Sequence, residues 1–522
     1  MHRRPPLRVV CYAVNGTGVG HITRLLAIAR WMRRLAPLVG APLEVWFLTS
    51  SEADGLAFAE GFAAFKIPTK TIVHEAGLDR RAYVALAKQW VWHTLGLLRP
   101  DLLVVDTFPR GSFGELIGAL DLCKHAAFVY RPVRREVAER ADFQAMLTLY
   151  DLLLVPEENA EVLVPPGARG KVVRAGYVLG RERWELIPRD TARLKLGIRP
   201  SSRCVFVSAG GGGDRDAAGQ LESVVRALSS DPSLSVVVGT GPLYRGEPMP
   251  GATLVPGRAA EWSLAFDAAV SAAGYNTFGE LMFAGVPTAF VPQTKLADDQ
   301  EARAEAAARR GAGVTLGRDW DDARVLGAVR ELLERPGARA AARSMVPESS
   351  TRHAAAELLG LVCRASEVEQ VLAALSDERL ARTARTGGVA ERSWLALAHH
   401  LTGGDLGALG EALDASLTLL ESRPPGEAQE LLRVTDAVTR AAGQRSVEAR
   451  AGLVRELLAA LGPLLPGDGA AARAVLGAEG AQSRLDRETL RGSAGKMRGH
   501  VTPPSESSPQ APESASSSLS TK

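Results

Sequence analysis

A histidine closes the first glycine-rich stretch of this chain, Asn15-Gly16-Thr17-Gly18-Val19-Gly20-His21, which follows an apolar run and leads into a helical pattern. Glycines there let main-chain N–H groups approach a ligand closely. The helix start favours an anion or a developing negative charge. A histidine whose ordinary pKa lies near neutrality suits removal of a proton from a hydroxyl. It would equally serve as a local cap, and spacing leaves both readings open. The order G-x-G-x-G-H is not the dinucleotide fingerprint G-x-G-x-x-G, and the Gly-Lys-Ser/Thr of a P-loop is missing.

Ser271-Ala272-Ala273-Gly274-Tyr275-Asn276-Thr277-Phe278-Gly279-Glu280 follows a strand pattern and opens a second helix. Its small residues would let a diphosphate sit on free N–H groups at the helix start. Glu280 either accepts hydrogen bonds from a ribose diol or completes a Thr-x-x-Glu capping box with Thr277. Asp298-Asp299-Gln300 precedes a third helix. Its carboxylates and carboxamide suit sugar hydroxyls, although N-capping by Asp explains them as well. Ser208-Ala209-Gly210-Gly211-Gly212-Gly213 ends another strand and either touches the same phosphates or is a plain turn. Asp106, at the end of LLVVD, is placed to line a cleft and to be a charge partner for His21.

These residues need strands that end where helices begin. Apolar, β-branched runs at 7–14, 43–50, 100–106, 125–130 and 151–156 alternate with helical patterns near 22–35, 78–98 and 112–121. This predicts a parallel sheet with helices on both faces. A Pro/Gly- and charge-rich stretch, 165–190, reads as the way out of a first domain. The alternation restarts at Cys204 and continues to a helix near 351–362. The fold class is therefore α/β, with two tandem Rossmann-like domains over 1–178 and 179–364. Residues 365–492 carry Ala/Leu/Arg/Glu helical patterns and read as an α-helical appendage. Residues 493–522 are Ser/Pro-rich and read as a disordered tail.

Composition narrows the function classes. Lys+Arg 62 against Asp+Glu 59 leaves a net charge of +3, too little for a bulk nucleic-acid field. Four widely spaced cysteines show no paired metal-ligand spacing and suit a reducing compartment. No stretch approaches the ~20 apolar residues of a spanning helix, and the N-terminal run is too short for a secretory signal. A cytoplasmic protein is expected. Peripheral contact with a membrane is left open by the Trp-bearing segment AYVALAKQWVWHTLGLL. Arg131, Arg134 and Arg135 either meet an anionic acceptor or form a solvated face.

Taken in order, the Gly-His turn, the Ser-x-Gly-Gly turn and SAAGYNTFGELMFAGVPTAFVPQTKLADDQEARA resemble nucleotide-sugar glycosyltransferases of the GT-B fold, nearest the family 28 type. The resemblance covers about residues 7–362. It implies a donor, usually a UDP-sugar, on the second domain and an acceptor on the first. It further implies that His21 is the base; Gly18, Gly20 and Asp106 are assigned to the acceptor side by their position beside it. Ser208, Gly210, Gly211, Gly212, Gly274, Tyr275 and Asn276 would hold the diphosphate. Glu280 would hold the ribose, and Asp299 and Gln300 the donor sugar. Direct displacement with inversion, no metal and no cofactor are expected. Tyr275 stands where a smaller residue is common, and Arg303 where membrane-bound members often have Asn. Two other readings use the same residues: a nucleotide-sugar 2-epimerase, and a catalytically degenerate binding protein that recruits a partner through its helical module.

Overall fold

The computed structural model describes residues 6–369, except for 15–17, 40, 42, 159, 213–214, 245, 247–248, 256–257, 296–297, 318–319 and 367. The expected appendage at 365–492 lies almost wholly outside the described residues, as do the tail, Gly213 and the Asn15–Thr17 part of the first turn.

The first lobe contains β1 (Leu7–Ala13), α1 (Gly20–Leu35), β2 (Leu43–Thr49), α2 (Gly55–Ala59), β3 (Ala63–Lys66), α3 (Lys70–Glu75), α4 (Arg80–Leu98) and β4 (Leu102–Asp106). It continues through β5 (His125–Val129), α5 (Arg135–Ala138), α6 (Ala141–Leu147), β6 (Leu152–Val155) and β7 (Val172–Arg174). Its strands pair in parallel, in the order β3-β2-β1-β4-β5-β6-β7. The central strands are apolar on both faces because helices cover both: all five residues of β4 are buried.

The second lobe contains α7 (Arg189–Lys195), β8 (Arg203–Ser208), α8 (Arg215–Ser229), β9 (Leu234–Gly239), β10 (Ala252–Leu254), β11 (Ala268–Ser271), α9 (Tyr275–Ala284) and β12 (Thr288–Phe290). Then follow α10 (Gln300–Arg309), β13 (Gly313–Thr315), α11 (Asp322–Glu334), α12 (Ala338–Met345) and α13 (Thr351–Leu359). Its parallel sheet runs β10-β9-β8-β11-β12-β13. One core layer packs α9 and α12 against this sheet, and another packs α8 and α11 against its other face. This is the arrangement of two Rossmann-like parallel sheets that the sequence predicts.

Each sheet reverses its strand order once, between β1 and β4 and between β8 and β11. In open α/β sheets that reversal opens a crevice at the carboxyl ends of the strands. His21 and Asp106 follow the first reversal, and Ser208 and Gly274 the second.

Three local expectations change. The helix expected at 112–121 is a looped segment with one 3-10 turn over Ala119–Leu122. Gly111, Gly114 and Gly118 all take positive φ, and the loop closes on buried Glu115, which accepts from the N–H groups of Ser112 and Phe113. The presumed connecting stretch contributes an edge strand, β7, to the first sheet. Finally α13 returns to pack against α1 of the first lobe.

Candidate active site

His21 stands in the first turn of α1, whose start carries no side-chain cap. Its Nδ1 lies 2.7 Å from Asp106 Oδ1, a contact spanning 85 residues of sequence. Asp106 is fully buried. Burial alone would raise its pKa, but the charge of Arg24 and the bond to His21 outweigh that and hold the carboxyl below its ordinary range. Burial lowers the His21 pKa, and Arg24 and Arg131 lower it further against the pull of Asp106. The imidazole is therefore neutral near pH 7, with Nδ1–H donating to the carboxylate and Nε2 left as an acceptor. That is the protonation state of a general base.

The backbone next to this pair is strained. Thr107 has φ of 62° although it is β-branched, a conformation costing about 1–3 kcal/mol. The bend turns its hydroxyl onto Asp106 Oδ1 at 2.5 Å. Arg24, one turn after His21, donates from Nε to the other carboxylate oxygen at 3.1 Å.

On the second lobe, the Ser208 hydroxyl donates to the Gly239 carbonyl at 2.9 Å and accepts from Gly210 N–H at 3.2 Å. Gly212 requires glycine: with φ of 80°, a Cβ there would meet the Thr240 carbonyl at 2.3 Å. Ser208 and Ala209 also line a small open cleft with Gln220, Gln293 and Trp320. The glycine turns of the two lobes meet, since a Cβ on Gly211 would sit 3.1 Å from the Val19 nitrogen. Asn276 reaches across as well, donating to the Gly20 carbonyl at 3.2 Å and contacting the Thr23 hydroxyl.

The residues of α9 divide by role. The helix begins at Tyr275 with Gly274 as an N-cap that offers no side-chain bond, so its first N–H groups lack intrahelical acceptors. Thr277 falls inside the helix, and no capping box forms with Glu280. Glu280 makes no hydrogen bond or ion pair among the described residues, and burial pushes its carboxyl up to about 7 against the fields of Arg258 and Arg181. Tyr275 turns its ring into the joint between lobes. Its hydroxyl donates to the Pro156 carbonyl at 2.6 Å and accepts from Val178 N–H at 3.0 Å. Its side chain is therefore engaged, leaving only its main chain for a ligand.

Asp299 and Gln300 differ in exposure, Asp299 being open to solvent. Asp299 caps α10 by accepting from Ala302 N–H at 3.1 Å. Gln300 is buried, accepting from Gln293 N–H at 3.1 Å. Their neighbour Asp298 holds Arg131 of the first lobe at 2.5 Å and Arg303 at 3.2 Å. Glu157, beyond β6, lies 4.0 Å from Arg303 and keeps one buried oxygen without a hydrogen bond. Sequence reasoning passed over Arg24 and Glu157. For Arg24 the available signal was its spacing, three residues after His21 on one helix face.

Among the described residues no three His, Cys, Asp or Glu side chains are grouped so as to hold a metal ion. None of the described helices is long and apolar enough to cross a membrane.

No protein-family model matches the chain. Among curated proteins it is similar to the UDP-N-acetylglucosamine–N-acetylmuramyl-(pentapeptide) pyrophosphoryl-undecaprenol N-acetylglucosamine transferase of Desulfitobacterium hafniense. The two are 25% identical over 353 residues, which cover 62% of this chain and 89% of the relative. Among solved structures it is similar to the spinosyn forosaminyltransferase SpnP, at 15% identity and a TM-score of 0.49, covering 67% of this chain and 98% of that one. It is also similar to the glycosyltransferase SnogD from Streptomyces nogalater, at 18% identity and a TM-score of 0.45, covering 68% and 99%.

Proposed function

We propose that this chain is a family 28-like, GT-B glycosyltransferase that moves a hexosyl or N-acetylhexosaminyl group from a UDP-sugar to an acceptor hydroxyl. The observation that carries the reading is the His21–Asp106 pair, at 2.7 Å, on the lobe facing the glycine turns and the uncapped α9 start. His21 Nε2 takes the proton of the acceptor hydroxyl, and Asp106 stabilises the imidazolium that results. The acceptor oxygen bonds to the anomeric carbon as that carbon's bond to the diphosphate oxygen breaks, which inverts the centre. The bonding electrons leave with UDP. Main-chain N–H groups of Tyr275–Thr277 and of the Ala209–Gly212 turn stabilise the departing charge, so no metal is needed. Glu280, the unpaired carboxyl, accepts from the ribose hydroxyls. Gly18 and Gly20 line the acceptor side.

UDP-N-acetylglucosamine is the first donor to test, since the curated relative is named for it. Thermal-shift screening against UDP, TDP and GDP sugars assigns the base, because a ligand of the folded state raises its apparent stability. His21→Ala should lower turnover, read as UDP release, by at least ~10²-fold. Unchanged turnover would remove His21 from the role.

Peripheral contact with a membrane at an otherwise cytoplasmic location is part of the same proposal. On α4, Leu86 and Leu97 share one stripe at 70% and 83% exposure, and Trp92, at 41%, lies about a third of a turn round the helix. No acidic residue lies on α4, and Arg80, Arg81, Lys88 and Arg99 are on or beside it. Exposed apolar side chains among basic residues suit an anionic bilayer surface.

A further inference from the structure

Asp106 divides its two oxygens. One binds His21, and the other takes the Arg24 guanidinium. The Arg24 side chain is only 1% exposed. Its guanidinium carbon lies 4.7 Å from the centre of the Tyr275 ring, which belongs to the other lobe. That ring is itself held, stacked on Tyr177 at 5.3 Å and tethered by its hydroxyl to Pro156 and Val178. Among the described residues Arg24 Nη1 is buried with no hydrogen-bond partner. Leaving such a group unpaired carries its full desolvation penalty. A side chain kept only for packing would not carry that cost when an apolar one of similar length would fill the space.

We infer that Arg24 is a positioning residue, clamped between Asp106 and the ring of Tyr275, that fixes the carboxylate orienting His21 and makes that orientation depend on the seating of the second lobe. The inference rests on the reading of His21 as the base. A single bond from His21 would leave the carboxylate free to rotate. With Nε of Arg24 on one oxygen and His21 and Thr107 on the other, it has one orientation. Tyr275 sets where the guanidinium lies, and Tyr275 moves with α9. Separating the lobes removes the ring and frees the guanidinium from one side.

The charged groups facing His21 are Asp106 from β4, Arg24 from its own helix and Arg131 from the loop after β5. Removing Arg24 takes away a positive neighbour and leaves an Asp106 oxygen unpaired. Both changes favour the imidazolium.

The test is selective ¹⁵N-histidine labelling of the full chain, with the His21 ring signals identified by their loss in His21→Ala. In Arg24→Met the His21 titration should move to higher pH and its single tautomer should give way to a mixture. Tyr275→Leu should move it the same way, and Arg24→Lys should move it less than Arg24→Met. UDP release from UDP-N-acetylglucosamine should fall up to roughly 10²-fold in Arg24→Met, the scale of a small misplacement of a catalytic group, with KM changed far less. An Arg24→Met protein that melts normally but keeps the wild-type titration and tautomer would overturn the inference. Should that variant fail to fold, an unmoved titration in both Arg24→Lys and Tyr275→Leu would overturn it equally. Wild-type UDP release by His21→Ala would sink the base reading instead, whatever the imidazole spectra show.

Discussion

Replacing Glu280 by glutamine separates ligand recognition from fold stability in opposite directions. Among the described residues the carboxyl has no hydrogen-bond or ion-pair partner, and burial raises it to about 7. To accept two hydrogen bonds from a ribose diol it must be ionised, so nucleotide binding is coupled to loss of its proton. For a group near that value, affinity weakens roughly tenfold, about 1.4 kcal/mol, for each pH unit below it. From pH 8 to pH 6 the dissociation constant for UDP should therefore rise about tenfold. The terminal phosphate of UDP also titrates near pH ~6, so the quantity to read is the difference between wild type and Glu280→Gln. Hydrogen bonds to a charged acceptor contribute about 1.5–3 kcal/mol, so the variant should bind UDP about 10- to 100-fold more weakly at pH 8, with the carboxyl's share of the pH dependence gone. Stability follows the other sign. The folded carboxyl holds its proton above the pKa it has in the unfolded chain, so the free protein loses stability as pH rises from the ordinary carboxyl range through about 7. Above that range Glu280→Gln should melt higher than wild type without nucleotide and lower with it. Calorimetry in buffers of different ionisation heat, with melting curves at pH 6 and 8, reads both. Identical pH dependence of UDP affinity in wild type and variant would refute the reasoning.

Gly211→Ala should leave each lobe folded, because Gly211 lies outside the positive-φ region, yet push its methyl against the Val19 backbone at 3.1 Å. Val19 must then give by a few tenths of an ångström and UDP release should fall; unchanged turnover would mean the contact is dispensable. Replacing Leu86, Trp92 and Leu97 together by Gln should abolish sedimentation with vesicles containing anionic lipid while leaving UDP affinity intact. Equal sedimentation of wild type and variant would remove α4 from that role.

The architecture was readable because the strands that matter are the simplest to read. LLVVD and the CVFVS run of β8 are continuous apolar segments that only a buried parallel strand accommodates. Their ends fixed the neighbourhoods of His21, Asp106, Ser208 and Gly274. Side-chain roles were harder, because they depend on contacts remote in sequence. Tyr275 looks like an obstacle to a phosphate in its own segment, but its hydroxyl is claimed by residues 119 and 97 positions away. The Thr277–Glu280 capping box depended on the helix starting later than it does; α9 begins at Tyr275. At 112–121 the apolar spacing favoured a helix, and three glycines at positive φ decided otherwise. Asp299 follows a local rule, the carboxylate before a helix capping it.

An unpaired Glu280 so near two arginines needs a physical account. Arg181 and Arg258 both carry positive charge toward it, and either would neutralise it by direct contact. Both are committed elsewhere. Arg181 donates to Glu60 and Glu261 at 2.8 Å each, and Arg258 pairs with Glu60 at 2.7 Å. Glu60 comes from the first lobe, so the same ion network that joins the lobes withholds the arginines from Glu280. Gly180 contributes by lacking a side chain, since a Cβ there would lie 3.2 Å from a Glu280 oxygen. The carboxyl is thus partly desolvated, within the field of the arginines but without a bond to either, and both oxygens remain available. A vicinal diol supplies two donors and no charge, which satisfies those oxygens without disturbing the interlobe network. A cationic ligand would compete with Arg181 and Arg258, and an anionic group would be repelled once Glu280 ionises. On the proposed reading, neutral hydroxyls would meet Glu280 beside a helix start that favours negative charge.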